Sequence, residues 1–209
     1  GLGVERQSGG CGHRAVPMIR AAANARRRLA CAPSARPARW LSCTPTGDFS
    51  RVYVQDNAGM RATVTAADVA SGSTLFAFTG STRSSKFKYS LQVGEALHMT
   101  ALETDPEPPW IFMDHSFAPT VRLEQHQKDN SIVLQAIALD DLPHHTLITF
   151  DYTLWEWEMD ERFRCMHTDR WVAGWLHLTE AEKEAALPYA STHIQALHNR
   201  WLFGQSSRC

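Results

Sequence analysis

The stretch SIVLQAIAL, residues 131–139, is apolar at both alternating positions, which is typical of a strand buried on both faces. Shorter runs of apolar or alternating residues lie on either side of it, and turn-forming residues bound several of them. These further strand candidates are residues 51–55, 74–78, 87–93, 120–124 and 147–150. Because no regular helices alternate with these strands, the sequence predicts a mostly β domain and excludes a doubly wound parallel sheet.

The pattern changes after Leu178, where the sequence begins to favour helix. Residues 179–182, TEAE, form a capping box, and an Ala-, Leu- and Glu-rich stretch follows. Pro188 either ends this helix or begins a second one. The sequence therefore predicts a C-terminal helical segment over residues 179–203.

Charge divides the chain of 209 residues into two parts, although its net charge is only -1. Eight arginines and no Asp, Glu or Lys lie between Arg6 and Gly47, whereas 13 Lys and Arg oppose 21 Asp and Glu from Asp48 onward. An arginine-rich, acid-free segment with Ser and Ala is typical of a mitochondrial or chloroplast transit peptide, and Met18 opens a stretch of this kind. We therefore expect residues 1–46 to be a disordered organelle-targeting head. The alternative is a basic tail, for instance for nucleic acid, on a nuclear or cytoplasmic protein.

Composition excludes several classes of protein for the remaining body. No uncharged apolar run approaches the ~18–20 residues that a helix needs to span a bilayer, so we expect no membrane partner. Five cysteines are an odd and sparse set for a disulfide scaffold. The acidic body is not expected to bind nucleic acid, and without an evident dimer interface we expect a monomer.

Three clusters contain residue types used in catalysis or metal binding, namely residues 114–116 (DHS), 144–145 (HH) and 165–167 (CMH). Adjacent Asp, His and Ser cannot fold back into a catalytic relay, so a structural turn is the simpler interpretation of the first. Neighbouring histidines point apart, and a Cys-x-His pair supplies at most two of four zinc ligands. Taken alone, all three clusters favour structural roles.

Five motifs in order make residues 51–177 resemble the SET domain, the β fold of protein-lysine methyltransferases, with a degenerate post-SET tail. The matching family patterns are the G-x-G opening, the I-x-x-G-x-x-L stretch, the central tyrosine strand, N-H-S-C-x-P and G-E-E-L-T-F-D-Y. In this chain they correspond to residues 56–62 (DNAGMRA), 68–80 (DVASGSTLFAFTG), 89–94 (YSLQVG), 112–119 (FMDHSFAP) and 139–152 (LDDLPHHTLITFDY).

The resemblance implies an arrangement of the chain as well as a fold. It implies a SET domain at residues 49–160, a degenerate post-SET segment at residues 161–178 and the helical segment after it. The SET fold consists of short strands in several small sheets around a pseudoknot-like active centre. In that centre, residues 114–116 and 150–152 would lie side by side.

The resemblance also implies S-adenosyl-L-methionine as methyl donor and the lysine side chain of a protein as acceptor. Gly59 and Met60 would receive the donor, since a glycine lets the main chain approach closely. Asp114 and His115 would hold its amino and adenine ends, His115 largely through its backbone.

An aromatic channel would admit the substrate lysine from the opposite face, lined by Tyr89, Phe150 and Tyr152. Tyr152, with Tyr89, would be catalytic, its hydroxyl orienting the methyl group and the amine. Phe150 would leave room for methylated lysine and so allow higher methylation states.

Four positions depart from the family pattern: Asn57, Asp114, Thr120 and Leu147 stand where the motifs have Gly, Asn, Asn and Glu. They keep open the alternative of a weak or inactive SET-like module that binds a peptide or partner protein. The retention of Tyr89, His115 and Tyr152 favours the enzyme.

The degenerate tail predicts that no structural zinc is bound. Phe117 replaces the cysteine of the N-H-S-C motif, and only Cys165 and His167 remain in the tail. We expect Phe117 to fill the space by packing against Phe163 or Trp171.

Overall fold

The computed structural model describes residues 47–206, so the expected targeting head at residues 1–46 lies outside the described residues. Twelve strands and two α-helices make up the described part of the chain. They are β1 (Val52–Asn57), β2 (Met60–Thr65), β3 (Thr74–Phe78), β4 (Ser81–Arg83), β5 (Leu91–Gly94), β6 (Leu97–Thr100), β7 (Asp114–His115), β8 (Val121–Lys128), β9 (Ser131–Ala138), β10 (Thr149–Phe150), β11 (Phe163–Arg164), β12 (Trp171–Val172), α1 (Glu180–Ala186) and α2 (Thr192–Ser206). Four short 3₁₀ turns join them, at Pro109–Phe112, Tyr152–Leu154, Trp175–His177 and Leu187–Tyr189.

Within residues 47–206 the strands form five small sheets. Two have three strands, in the orders β3-β9-β8 and β4-β6-β5, and three are pairs, β1-β2, β7-β10 and β11-β12. Of these pairings only β7-β10 is parallel. The predicted mostly β fold of short strands in several small sheets, followed by a C-terminal helix, is confirmed.

The hairpin of β1 and β2 has a tight turn that the sequence explains. Asn57 pairs with Met60, which leaves Ala58 and Gly59 as a two-residue loop with φ angles of 54° and 90°. Two positive φ angles match the right-handed twist of the strands, and glycine reaches them without strain. The Gly59 N–H is held by the Asp56 carboxylate at 2.8 Å.

The main core lies between the sheets and contains the strand predicted from residues 131–139. Leu134, Phe78, Val121 and Ile148 are at most 1% exposed, and the ring of Phe78 stacks on that of Trp110 at 4.9 Å. Each such side chain stabilises the fold by about 1.5–3 kcal/mol relative to an exposed position. This packing holds the three-stranded sheet of β9 against the segment that carries the candidate site.

One predicted strand is shorter than expected. Residues 87–93 were expected to be extended throughout, but β5 begins at Leu91. The Ser90 N–H and hydroxyl both donate to the Phe87 carbonyl, at 2.9 and 2.8 Å, and close a turn. A serine that bonds nearby backbone competes with strand pairing, and Tyr89 therefore lies in a turn.

The first C-terminal helix begins where the capping box predicted it, and the second begins at Thr192, four residues after Pro188. Thr179 and Glu182 form the capping box at the start of α1, and Pro188 lies in the 3₁₀ turn between the two helices. Trp175 and Ile194, both fully buried, form a second core cluster with Ala190. In the described part of the chain, no helix has the length and apolar character needed to cross a bilayer.

Candidate active site around Tyr152

Residues 146–150 pass between two other segments, and this crossing builds the site. On one side, the Ile148 N–H donates to the carbonyl of Thr63 in β2 at 2.8 Å. On the other, the Ile148 carbonyl accepts the Asp114 N–H at 3.2 Å, in the parallel pair of β7 and β10. Residues 146–150 therefore join β2, which follows the Gly59 turn, to β7, which begins at Asp114.

Thr120 ties the same segments together a second time. Its hydroxyl donates to the Leu147 carbonyl at 3.1 Å and accepts the Thr149 N–H at 2.8 Å. A threonine thus supplies a donor and an acceptor where the family pattern has asparagine. Residues 114–120 therefore contact residues 147–150 at both ends, and residues 114–116 and 150–152 lie side by side as expected.

Tyr152 begins the 3₁₀ turn Tyr152–Leu154 directly after β10. Its hydroxyl donates to the Met113 carbonyl at 2.5 Å, and its N–H donates to His115 Nδ1 at 3.2 Å. Burial, together with the negative charges of Asp114 and Glu156, raises the pKa of the Tyr152 phenol. Tyr152 is therefore a neutral hydrogen-bond donor at ordinary pH.

His115 is a buried neutral imidazole beside Tyr152. It is 1% exposed, and burial lowers its pKa to about 4, with smaller contributions from His167 and Arg170. Because Nδ1 accepts the Tyr152 N–H, Nε2 carries the proton, and Nε2 has no hydrogen-bond partner. Such an unpaired buried donor is costly, and it could donate to an acceptor atom of a ligand.

Aromatic rings lie around the side chain of Tyr152. The ring centroids of Phe150 and Phe163 lie 4.6 and 5.9 Å from that of Tyr152. The two channel residues predicted at positions 150 and 152 are therefore brought together. Water-poor surroundings of this kind disfavour a charged ammonium group.

Phe117 has two partners that were not predicted. Its ring contacts His115 edge-on at 4.6 Å, and the guanidinium of Arg170 lies 4.0 Å from its ring centroid. His115 in turn contacts Phe163 edge-on at 5.8 Å, so both phenylalanine rings pack on the same imidazole. Direct packing of Phe117 on Phe163 or Trp171 stays a prediction.

Asp151 is a residue of the candidate site that the sequence motifs did not single out. Its Oδ1 accepts the Thr153 N–H at 2.9 Å and the Thr153 hydroxyl at 2.6 Å. Burial raises its pKa to about 6, and the bonds from Thr153 oppose that shift. The signal was the D-x-T spacing, since an aspartate caps the N–H two residues later. This cap fixes the start of the Tyr152 turn.

Of the predicted donor-binding residues, Asp114 and His115 form β7, whereas Gly59 and Met60 lie at the exposed turn of the β1-β2 hairpin. A Cβ built at Gly59 would meet no atom within 4 Å, so the turn has open space beside it, and Met60 is 68% exposed. The Asp114 carboxylate accepts the His115 N–H at 2.7 Å. The Asp114 carboxylate is half-buried and the Gly59 turn is exposed, and the donor-binding roles of these residues stay predictions.

Tyr89 is not brought together with the other predicted channel residues. It is 56% exposed in the turn before β5, with the Lys88 ammonium 5.6 Å from its ring centroid. Among the ring contacts of residues 47–206, none joins Tyr89 to Phe150 or Tyr152. Its catalytic role stays a prediction.

The tail residues Cys165 and His167 are not part of a metal cluster in the described chain. Cys165 is buried with a free thiol. No group of three or more His, Cys, Asp or Glu side chains among residues 47–206 is arranged to hold a metal ion. The absence of structural zinc stays a prediction.

A cavity of about 350 Å³ lies between β8 and the start of α2, and Tyr152 is not among the residues that line it. Leu123, Trp155 and Ser191 are among the residues that line it. It therefore adds nothing to the site around Tyr152.

Two solved structures are similar to part of this chain. One is a proposed histone methyltransferase of Plasmodium falciparum, with 14% identity and a TM-score of 0.40 over 49% of this chain and 92% of that one. The other is CpSET8 from Cryptosporidium, with 13% identity and a TM-score of 0.41 over 48% of this chain and 56% of that one. No family model matches the chain, and no curated protein matches it. Because both TM-scores lie below 0.5, the function is inferred from the residues of this chain.

Proposed function

We propose that this protein is a SET-type methyltransferase that uses S-adenosyl-L-methionine to methylate lysine side chains of a protein substrate. The observation that carries the proposal is the crossing at β7 and β10, which sets His115 and Tyr152 side by side. The resemblance of residues 114–116 and 150–152 to the two central SET motifs rests on the sequence alone. Their contact supports the motif assignment.

The proposed reaction is a direct displacement. The donor supplies a methyl group on a sulfonium. The lone pair of a neutral lysine amine forms the new C–N bond as the C–S bond breaks, and the electron pair of that bond stays on sulfur. The amine then releases one proton to water. Such a step needs alignment of the two reactants more than acid or base catalysis.

The residues of this chain fit the alignment role. Tyr152 stays neutral, so its hydroxyl can donate or accept a hydrogen bond beside the amine. The rings of Phe150 and Phe163 exclude water and favour the uncharged amine that the reaction requires. Asp114 would accept a bond from the donor's ammonium, and backbone near Gly59 and Met60 would lie against the rest of it.

A non-catalytic module that binds a peptide or partner is the second candidate. The exposure of Tyr89, which was expected in the lysine channel, favours it. The two candidates differ in whether the methyl donor is bound. A non-catalytic module that binds only a peptide or partner should not bind the methyl donor.

Isothermal titration calorimetry with S-adenosyl-L-methionine tests the proposal. We expect the wild type to bind and Asp114→Ala to weaken binding by about tenfold or more, since a charge-assisted hydrogen bond is lost. Glu103→Ala removes a highly exposed carboxylate and serves as the matched control with unchanged affinity. A wild type that binds no donor would rule out the enzyme and leave the adaptor.

A further inference from the structure

Glu156 is a buried acid that the chemistry proposed above leaves without a role. It lies shortly after the Tyr152–Leu154 turn and is only 6% exposed. Its Oε1 accepts the N–H of Gln92, a residue of β5, at 2.7 Å. Because a buried carboxyl group is costly unless it is well hydrogen-bonded, this contact calls for an explanation.

The contact between Glu156 and Gln92 is one half of a reciprocal clamp. The side-chain oxygen of Gln92 accepts the N–H of Trp157 at 2.8 Å, while its Nε2 donates to the carbonyls of Gly94 and Glu95 at 3.0 and 3.2 Å. Gln92 is itself 3% exposed. Because β5 is an outer strand of its sheet, the backbone N–H of Gln92 would otherwise lack a partner. The Glu156 carboxylate supplies one.

The clamp is joined directly to the Tyr152 turn. The Tyr152 carbonyl accepts the N–H groups of Trp155 at 3.0 Å and of Glu156 at 2.8 Å. The orientation of the turn therefore depends on where Glu156 is held. A shift of Glu156 would be transmitted through two short backbone bonds.

The opposite side of the segment is also fixed. The Glu156 and Trp157 carbonyls accept the N–H groups of Trp175 and Leu176 at 2.8 and 2.9 Å. The close approach is possible because Gly174, with a φ of 100°, has no Cβ, which would come within 2.8 Å of the Glu158 Cα. Because this side of residues 156–157 is fixed, the bond between Gln92 of β5 and Glu156 determines how far the segment can still move.

The charged groups that face Glu156 are few. They are Lys86, which is paired with Asp160 at 3.5 Å, and Asp160 itself, while the Tyr152 phenol lies close enough to feel the carboxylate. Burial raises the pKa of Glu156 to about 7, opposed by the Gln92 N–H and Lys86 and reinforced by Asp160. Near neutral pH the clamp therefore alternates between a charge-assisted bond and a weaker neutral one.

We propose that Glu156 is a positioning residue: through its bond to Gln92 it holds the Tyr152 turn against β5 and sets the orientation of the Tyr152 hydroxyl. The benefit to methyl transfer rests on the function proposed above, whereas the coupling of Glu156 to Tyr152 does not. Glu156 acts through the turn and does not contact the substrate.

The coupling is tested by NMR of protein labelled with ¹³C in its tyrosine rings. The chain has four tyrosines, and the Tyr152→Phe variant identifies the Tyr152 signal. We expect that signal in the wild type to move with a midpoint near pH 7, and in Glu156→Gln to lose this step and keep only the movement near pH 6 that the neighbouring Asp151 causes. Glu158→Gln, which changes a 57% exposed neighbour, should titrate as the wild type does.

Kinetics supply the second measurement. Glu156→Ala should lower kcat by about tenfold with little change in the KM for the methyl donor, because only alignment is lost. Glu156→Gln should recover most of kcat, since its amide oxygen can still accept the Gln92 N–H. If Glu156→Ala does not fold, the comparison of Glu156→Gln with Glu158→Gln carries the test.

The outcomes separate the two proposals. A Tyr152 signal that titrates equally in the wild type and in Glu156→Gln overturns the positioning role, whatever the activity. An unchanged kcat in a folded Glu156→Ala variant overturns it as well. A wild type without methyl transfer, but with a Tyr152 signal that follows Glu156, removes the enzyme and supports the coupling.

Discussion

Replacing Glu156 with glutamine should change how the stability of the fold depends on pH. In the unfolded chain the carboxyl group loses its proton near its ordinary pKa of 4.5, whereas burial raises the folded pKa to about 7. Between these values the folded state holds one more proton than the unfolded state. Raising the pH therefore favours unfolding, and the stability that Glu156 contributes below pH 4.5 is lost as the pH passes 7.

The size of the expected loss of stability follows from the shift in the pKa of Glu156. Each pKa unit corresponds to about 1.4 kcal/mol, so the loss is on the order of 3 kcal/mol between pH 4.5 and about pH 8. Glutamine cannot ionise and keeps an oxygen for the Gln92 N–H. The free energy of unfolding of Glu156→Gln minus that of the wild type should therefore rise by this amount over the window.

Urea unfolding at several pH values between 4.5 and 8.5 measures the difference. Asp151, with its pKa raised to about 6, and His115, with its pKa lowered to about 4, also titrate, but they do so in both proteins and cancel. Glu158→Gln should give a curve parallel to the wild type. Parallel curves for Glu156→Gln and the wild type would refute the reasoning, because they would mean that the carboxyl group titrates normally when buried.

Three further predictions concern the product, the metal and the head. Phe150→Tyr should shift the product toward monomethyl-lysine, because a tyrosine hydroxyl can hold a water that a methylated amine must displace; mass spectrometry showing only monomethyl product from the wild type would contradict this. Elemental analysis should find no stoichiometric zinc in the purified protein, and about one zinc per chain would show that the tail still binds metal. A fluorescent fusion of the full chain should enter an organelle and be cut before the domain, whereas nuclear fluorescence would favour a chromatin role.

Much of the fold could be predicted because hydrophobic pattern determines strands that are buried. The strand at residues 74–78 has the predicted bounds, and β9 differs by one residue from the predicted 131–139. Six strands were not predicted, because they are short or lie next to a turn motif and carry no clear alternation; they are β2, β4, β6, β7, β11 and β12. Their pairing is decided by tertiary contacts, which a single sequence does not display.

The candidate site could be predicted only in part. The order of the motifs placed residues 114–116 beside residues 150–152, and backbone pairing joins them. The channel role of Tyr89 came from the family resemblance and stays a prediction, and the extended strand predicted over residues 87–93 is shortened because the hydroxyl of Ser90 closes a turn. The Glu156 clamp had no sequence signal, since an acid between two tryptophans looks like an exposed rim position.

The proposed function is tested most directly by transfer of tritiated methyl from S-adenosyl-L-methionine to protein. The assay uses a lysate of the cell compartment in which the protein is found. We predict that the wild type labels protein on lysine and that Tyr152→Phe loses turnover by about a hundredfold or more while binding the donor normally, because its hydroxyl acts on the reacting arrangement. Tyr189→Phe removes the hydroxyl of a largely exposed tyrosine and should label as well as the wild type. A folded wild type that labels no protein, or a Tyr152→Phe variant that labels as fast as the wild type, would contradict the proposed function.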